Sequence, residues 1–137
     1  MINKKKVLIT GGSGGIGSAI CEKFFSNDYE LLLTSSSQKN LQILKEKYGN
    51  KHFYYELNFL DIENLKKCSY EISNEHKDLS VIINNAGITE DNLIIRMQDR
   101  QWNNVIKTNL DSNFYILKSL LPNMLTNRYG KIIGISS

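Results

Sequence analysis

The chain has 137 residues, 41% of them hydrophobic and 23% charged, which is the balance of one folded domain rather than of a disordered tail or a coiled-coil rod. Its net charge of +3 comes from lysines spread along the chain, which argues against a nucleic-acid-binding protein. Cys21 and Cys68 have no second Cys or His at metal-ligand spacing, so we expect buried reduced thiols and neither a disulfide framework nor a metal site.

No apolar run approaches the roughly 18 residues that cross a bilayer, and residues 1–6 lead directly into an apolar strand without a secretory signal. We therefore expect a protein that is neither membrane-bound nor secreted. A cytoplasmic location is predicted, with an organelle protein that has lost its presequence as the alternative.

Short, mostly apolar runs alternate with amphipathic segments along the chain. The predicted strands cover residues 7–10, 31–33, 53–57, 81–83 and 132–135. Helices are predicted between them, with Asp61 capping the third helix and Gly49 ending the second. This alternation predicts an α/β fold, a Rossmann-type doubly wound parallel sheet built from right-handed βαβ units.

Each predicted helix carries apolar residues at helical spacing. On the second helix they are Leu41, Leu44 and Tyr48, and on the third they are Ile62, Leu65, Cys68 and Ile72. The face of the first helix comprises Ile16, Ala19, Ile20, Phe24 and Phe25. The longest predicted helix covers residues 98–128, and we expect Pro122 to kink or interrupt it. Its predicted apolar face comprises Trp102, Val105, Ile106, Asn109, Leu110, Phe114, Leu117 and Leu121.

The segment 10–17, Thr-Gly-Gly-Ser-Gly-Gly-Ile-Gly, lies between the first strand and the first helix. Unsatisfied backbone N–H groups and the helix dipole favour a pyrophosphate at that point. The glycines fit either G-x-G-x-x-G from Gly12 to Gly17 or the looser G-x-x-x-G-x-G from Gly11 to Gly17. Because the motif lies in a complete βαβ context, it predicts a dinucleotide site rather than a simple glycine-rich turn.

A dinucleotide fold that binds NAD usually has an acidic residue at the end of the second strand. This chain has Thr-Ser-Ser-Ser at residues 34–37, followed by Lys39. Hydroxyls and a cation suit a 2′-phosphate, so NADP(H) is predicted over NAD(H). The alternative is that the serines form only a polar loop, and Gly14 offers the phosphate no side chain.

Four motifs give the chain its resemblance to a known family: segment 10–17, Asn-Asn-Ala-Gly at 84–87, Asn109 on the long helix, and segment 130–137. They resemble those of the classical short-chain dehydrogenases/reductases over all 137 residues. The segment Gly-Ile-Thr-x-Asp-Asn-Leu-x-x-Arg-Met at 87–97 is more similar to the members that reduce 3-oxoacyl groups on acyl carrier protein.

The resemblance implies a set of cofactor-binding residues in the glycine turn and in the loops after the second, third and fourth strands. These are Gly11, Gly12, Ser13, Gly14, Gly15, Ile16, Gly17, Ser36, Asn58, Phe59, Asn85, Ala86 and Gly87. In this assignment the first glycines line the pyrophosphate, Ser36 lies near the 2′-phosphate, Asn58 and Phe59 edge the adenine, and Asn85 holds the nicotinamide-side ribose.

The family's catalytic set is Asn, Ser, Tyr and Lys, of which the resemblance identifies Asn109 and Ser137 in this chain. It implies that Ser137 binds the substrate carbonyl and that Asn109 organises a water in a proton relay. The family's Tyr-x-x-x-Lys pair is absent from the sequence, so we expect no useful turnover by this chain alone. The alternatives are a backbone-bonded core amide for Asn109 and a simple strand-end hydroxyl for Ser137. His52 and His76 are predicted to be exposed.

Residues 1–137 are therefore expected to form one dinucleotide-binding domain that is truncated after the fifth strand and incomplete at its carboxyl end. By resemblance the complete protein reduces 3-oxoacyl-[acyl-carrier-protein] to the 3-hydroxyacyl form in fatty-acid biosynthesis, with NADPH as cofactor. Arg96 and Arg128 are candidates for attracting the acidic acyl carrier protein. A homotetramer formed through the long helix is also implied. The alternatives are a reductase of acyl-CoA or another carbonyl, and a non-catalytic NADP-binding remnant.

Overall fold

The computed structural model describes residues 4–136, which contain five strands and five α-helices. The strands are β1 (Lys6–Ile9), β2 (Glu30–Ser35), β3 (Phe53–Glu56), β4 (Leu79–Asn84) and β5 (Lys131–Gly134). The helices are α1 (Gly15–Ser26), α2 (Gln38–Tyr48), α3 (Ile62–Glu75), α4 (Asp99–Ile106) and α5 (Ser112–Asn127). A short 3-10 turn at Ile94–Arg96 precedes α4, and a π-helical turn at Lys107–Asp111 joins α4 to α5.

The five strands form one parallel sheet in the order β3-β2-β1-β4-β5. Alternate side chains of β1 enter two separate apolar layers, as the pleat of a strand requires. Val7 and Ile9 pack with Cys21 and Leu44 of α1 and α2, whereas Leu8 packs on the other face with the α3 and α5 side chains. The predicted doubly wound parallel sheet is confirmed, and all its strands point their carboxyl ends to one edge.

Local signals in the sequence set the ends of α2 and α3 as predicted. The Asp61 carboxylate accepts the N–H of Asn64 at 3.1 Å and caps α3. Gly49 adopts φ +89° at the end of α2, a conformation that residues with a side chain rarely adopt. Both thiols, Cys21 and Cys68, are buried and unbridged, as expected.

The prediction for the long helix is wrong in two respects. Pro122 lies inside α5 and does not interrupt it, since α5, which packs on α3, continues to Asn127. The buried side chains of the π turn and α5 follow i, i+4 spacing and are Thr108, Ser112, Ile116, Leu120 and Met124. Of the predicted face, Trp102, Leu110 and Phe114 are instead about 60% exposed, whereas Leu117 and Leu121 pack against the core as predicted. Thr108 and Ser112, two small residues with hydroxyl groups, are buried where α5 begins. A prediction based only on the spacing of apolar residues does not find them. On α1, Ile20 and Phe24 of the predicted face pack against the core, but Ile16 and Phe25 are exposed, and Gly17 and Cys21 are the buried residues.

The exposed position predicted for His76 is also wrong, since this side chain is only 2% exposed. Its Nε2 lies 2.8 Å from the Tyr55 hydroxyl, and its ring meets that of Phe53 edge to face. His52 is half-buried and its Nδ1 accepts the N–H of Leu31 at 2.9 Å. His76 is covered because the end of α3 lies against Phe53 and Tyr55 of β3, a tertiary contact without a local sequence signal.

Within residues 4–136 no helix is long and apolar enough to cross a bilayer. In the same part of the chain, His, Cys, Asp and Glu side chains form no group of three or more that could hold a metal ion.

Candidate functional site

A cleft of about 580 Å³ opens at the carboxyl edge of the sheet, between the loops that follow β1, β2 and β4. Its lining residues are Gly11, Ser13, Gly14, Gly15, Ile16, Gly17, Thr34, Ser35, Ser36, Asn40, Phe59, Asn85, Ala86, Gly87, Ile88 and Thr108. Crevices outside the carboxyl ends of parallel strands are the usual ligand sites of doubly wound sheets.

The turn between β1 and α1 brings bare backbone to this cleft. Gly11 has φ +67°, which favours glycine. A Cβ on Gly17 would collide with the carbonyl oxygen of Gly11, so the helix approaches the turn as closely as a glycine allows. α1 begins at Gly15, and its N-cap residue Gly14 has no side chain to satisfy the first N–H groups. This helix N-terminus can therefore receive an anion.

Thr10 and Asn85 join this turn to the loop after β4. The Thr10 hydroxyl accepts the backbone N–H groups of Asn85 and Ala86, both at 3.0 Å. The Asn85 side-chain amide in turn donates to the carbonyl oxygens of Thr10 at 3.2 Å and Gly11 at 3.1 Å. The two walls of the cleft are thus fixed relative to one another.

The serines at the end of β2 have different roles. The Ser35 hydroxyl accepts the N–H of Ser37 at 3.1 Å, and the Ser37 hydroxyl caps α2 by accepting the N–H of Asn40 at 3.3 Å. Ser36 is exposed, lines the cleft and has no hydrogen-bond partner among the described residues. None of the described residues that line the cleft is charged. A ligand anion at this end would meet hydroxyls and the N-terminus of α2 without a repelling carboxylate.

A second cleft adjoins the first and shares the loop after β4 with it. Asn109, Asn113, Ile135 and Ser136 line its far side. The Asn109 side chain accepts the N–H of Ile88 and donates to the carbonyl oxygen of the same residue, both at 2.9 Å. Asn109 lies in the π-helical turn, a local departure from α-helix that is frequent at functional sites. The side chain is bonded to backbone, as in the alternative interpretation, but it is exposed and is therefore not a core amide.

Three buried polar atoms beside the two clefts have no hydrogen-bond partner among the described residues. They are Oγ1 of Thr34, Oγ1 of Thr108 and Oδ1 of Asn84. Unpartnered buried polar groups are rare in folded proteins and are concentrated where a ligand or water completes them. The clefts therefore fit a polar ligand. In the sequence, Thr34 and Asn84 were recognised only as members of longer motifs, and none of the three residues was assigned to the site, although Thr34 and Asn84 stand out as the polar residues that end apolar strands.

The structure brings together most of the residues predicted to bind a cofactor. All of them line the first cleft except Gly12, which is buried behind the turn, and Asn58. The Asn58 side chain accepts the backbone N–H of Leu60 at 3.0 Å, and the Asn58 backbone N–H donates to the side-chain oxygen of Asn64 at 2.8 Å. Asn58 therefore shapes the turn before α3. Ser137 lies outside the described residues, while its neighbour Ser136 lines the second cleft.

Residues 5–137 match the family model for short chain dehydrogenases. The chain is 37% identical over 133 residues to a protein named 3-oxoacyl-[acyl-carrier-protein] reductase FabG from Haemophilus influenzae, covering 97% of this chain and 55% of that protein. The protein of the same name from Escherichia coli K12 is 36% identical over 133 residues, covering 97% of this chain and 54% of its own length. The chain thus spans about half the length of the curated relatives it matches.

Two solved structures have the same fold. A short-chain dehydrogenase from Streptomyces avermitilis superposes with a TM-score of 0.92 over 100% of this chain and 50% of its own, and at 23% identity it supports the fold alone. A structure described as ElxO with NADP bound has a TM-score of 0.88 and 32% identity, covering 98% of this chain and 56% of its own.

Proposed function

Because the chain belongs to the short-chain dehydrogenase family, we propose that it forms the cofactor-binding part of an NADP(H)-dependent reductase. One observation carries the proposal: the uncapped N-terminus of α1 and the uncharged, hydroxyl-rich end of β2 line the same cleft. The first suits a pyrophosphate, and the second suits a 2′-phosphate.

Ser36 is the residue we assign to the 2′-phosphate. Its neighbours Ser35 and Ser37 use their hydroxyls in the local backbone, whereas Ser36 lines the cleft and its hydroxyl has no hydrogen bond among the described residues. Lys39 lies in the first turn of α2, next to the lining residue Asn40, and adds positive charge nearby. The related structure ElxO, which is described with NADP and with NADPH bound, supports the same cofactor for this chain.

The substrate we propose is a 3-oxoacyl group on acyl carrier protein. The support comes from the curated relatives that carry the reductase name at 36–37% identity and from the segment 87–97. The bound nicotinamide supplies the hydride that reduces the C3 carbonyl to an alcohol. In this proposal Asn109 holds the loop at Ile88 beside the reacting end, and Ser137 donates a hydrogen bond to the carbonyl oxygen.

We extend the proposal to subunit association through α4 and α5. Trp102 on α4, Leu110 in the π-helical turn and Phe114 on α5 are exposed apolar side chains. Exposed apolar patches of this kind mark contact surfaces between proteins. A homotetramer of the complete protein would cover these side chains. Arg96 and Arg128, both exposed, are the proposed attraction points for an acidic acyl carrier protein.

The test is NADPH oxidation by the full-length protein with acetoacetyl-acyl carrier protein, acetoacetyl-CoA, and a panel of sugars and steroids. We expect the carrier-linked thioester to be reduced with the highest kcat/KM and NADPH to be preferred to NADH. Oxidation of NADPH with sugars or steroids but not with acetoacetyl thioesters would contradict the substrate. Equal or better use of the CoA thioester would favour an acyl-CoA reductase.

A further inference from the structure

Gly12 faces away from the cleft, toward α1. It is buried, and a Cβ built on it would lie 3.2 Å from Sγ of Cys21 and 3.7 Å from a methyl group of Leu33. Cys21 is itself fully buried, in the apolar layer between β1, β2 and the first two helices. Its Sγ lies 3.9 Å from the carbonyl oxygen of Gly12, within reach of a weak S–H···O hydrogen bond.

Conformation does not account for glycine at position 12. Gly11 requires glycine because its φ is +67°, whereas Gly12 does not have a positive φ. The sulfur of Cys21 is the nearest obstacle to a side chain, and it has little room to retreat because it is packed in the core. Burial raises the pKa of the Cys21 thiol to about 11, so the group is a neutral, compact filler at ordinary pH.

We infer that Gly12 and Cys21 form a size-matched pair, in which Cys21 is a positioning residue that sets how closely the glycine turn approaches α1. The inference rests on the proposed function, since the turn matters here as the seat of the dinucleotide phosphates. Gly11 and Ser13, on either side of Gly12, both line the cleft. A shift of a few tenths of an ångström at Gly12 is therefore passed to the groups that meet the ligand.

The test is a double-mutant cycle in the full-length protein, with NADPH affinity measured by titration calorimetry. Gly12→Ala forces a methyl group against the sulfur and is expected to weaken NADPH binding about tenfold, the scale of an overpacked contact. Cys21→Ala alone leaves a small gap and is expected to weaken binding about threefold or less. In Gly12→Ala/Cys21→Ala the new methyl group occupies the space left by the sulfur, and affinity returns to within about threefold of the unaltered protein.

Cys68 supplies a matched control, because it is an equally buried thiol whose pKa burial raises to about 12, but it lies in α3 on the other face of the sheet. Cys68→Ala is expected to lower the melting temperature without changing NADPH affinity, and it does not rescue Gly12→Ala. If Gly12→Ala does not fold, Cys21→Leu presses on the turn from the helix side and is expected to weaken NADPH binding about tenfold as well.

Four outcomes separate the two claims. If the folded, unaltered protein binds neither NADPH nor NADH, the proposed function fails. If it binds NADPH and Gly12→Ala binds equally well, the pair does not position the turn. Additive losses in the double variant, or equal rescue by Cys68→Ala, also overturn the inference, because either shows that the sulfur at position 21 is not the partner of position 12.

Discussion

Asn85 donates two hydrogen bonds to Thr10: its backbone N–H to the Thr10 hydroxyl at 3.0 Å, and its side-chain amide to the Thr10 carbonyl oxygen at 3.2 Å. The Thr10 side chain is buried and also accepts the N–H of Ala86. One hydroxyl thus satisfies two donors of the loop after β4 and fixes that loop against the glycine turn.

Replacing Thr10 by Val keeps the shape but leaves the N–H groups of Asn85 and Ala86 without this acceptor. We expect the free energy of unfolding to fall by about 2 kcal/mol, since an unsatisfied buried donor costs roughly 1–3 kcal/mol. NADPH affinity is expected to fall as well. Urea denaturation and NADPH titration measure the two effects. Thr10→Ser keeps the hydroxyl and serves as the control, and an unchanged Thr10→Val protein would contradict this role.

Asn109→Leu removes both hydrogen bonds to Ile88. Because these bonds position the loop at the junction of the two clefts, we expect kcat of the full-length reductase to fall on the order of 100-fold, as misplaced reacting groups commonly cause. Thermal stability should change little, since Asn109 is exposed. The control is Asn113→Leu, which removes a single hydrogen bond to the Asn109 carbonyl oxygen. Equal losses of kcat in both variants would show that Asn109 has no special role.

Ser36→Asp places a carboxylate where we assign the 2′-phosphate. We expect the ratio of NADPH to NADH affinity to fall more than about tenfold, because the like charges repel. Ser37→Ala is the matched control. It removes the cap of α2 and should cost about 1 kcal/mol of stability while leaving the cofactor ratio unchanged. An unchanged ratio in Ser36→Asp would place the phosphate elsewhere.

His76 makes the stability of the fold sensitive to acid. Burial, and then the charge of Lys6, lower the pKa of His76 below its usual 6.5, although Glu75, Asp78 and Glu30 act in the opposite direction. The unfolded chain therefore binds a proton at a higher pH than the folded chain does. Stability from this residue is complete above about pH 6.5 and is lost as the pH falls toward the folded pKa.

We expect the free energy of unfolding, measured in urea at pH 7.5 and pH 5.0, to drop less in His76→Phe than in the unaltered protein. The phenylalanine keeps a ring beside Phe53, and Tyr55 still has Glu75 as a hydrogen-bond partner. Some acid sensitivity should persist, because burial also lowers the pKa of His52. The same drop in both proteins would exclude His76 as a source of the pH dependence.

Phe114→Glu tests the proposed subunit surface of α5. A charge in the middle of this exposed apolar face should shift the full-length protein to smaller assemblies in sedimentation velocity while the fold persists. Tyr70→Glu on α3 is the control, since Tyr70 is an aromatic residue of similar exposure on another helix. An unchanged assembly in Phe114→Glu would remove this face from the interface.

The alternation of apolar runs and helical segments, the caps at Asp61 and Gly49, and the glycine turn could all be predicted from the sequence, because each depends on residues close together in the chain. The family could also be predicted, since its motifs are short and contiguous, and the match over residues 5–137 confirms it. The predicted catalytic role of Ser137 stays a prediction.

Other properties depend on contacts between distant residues, and only the tertiary structure decided them. Gly11 faces the cleft while Gly12 faces Cys21, a difference set by the packing of α1 on the sheet. Likewise, α5 buries Ser112 and Ile116 and leaves Phe114 exposed, because its orientation is fixed by α3 and β4 rather than by its own apolar period. Local sequence determines which backbone conformation a segment adopts, but the direction in which each side chain faces follows from how the segments pack together.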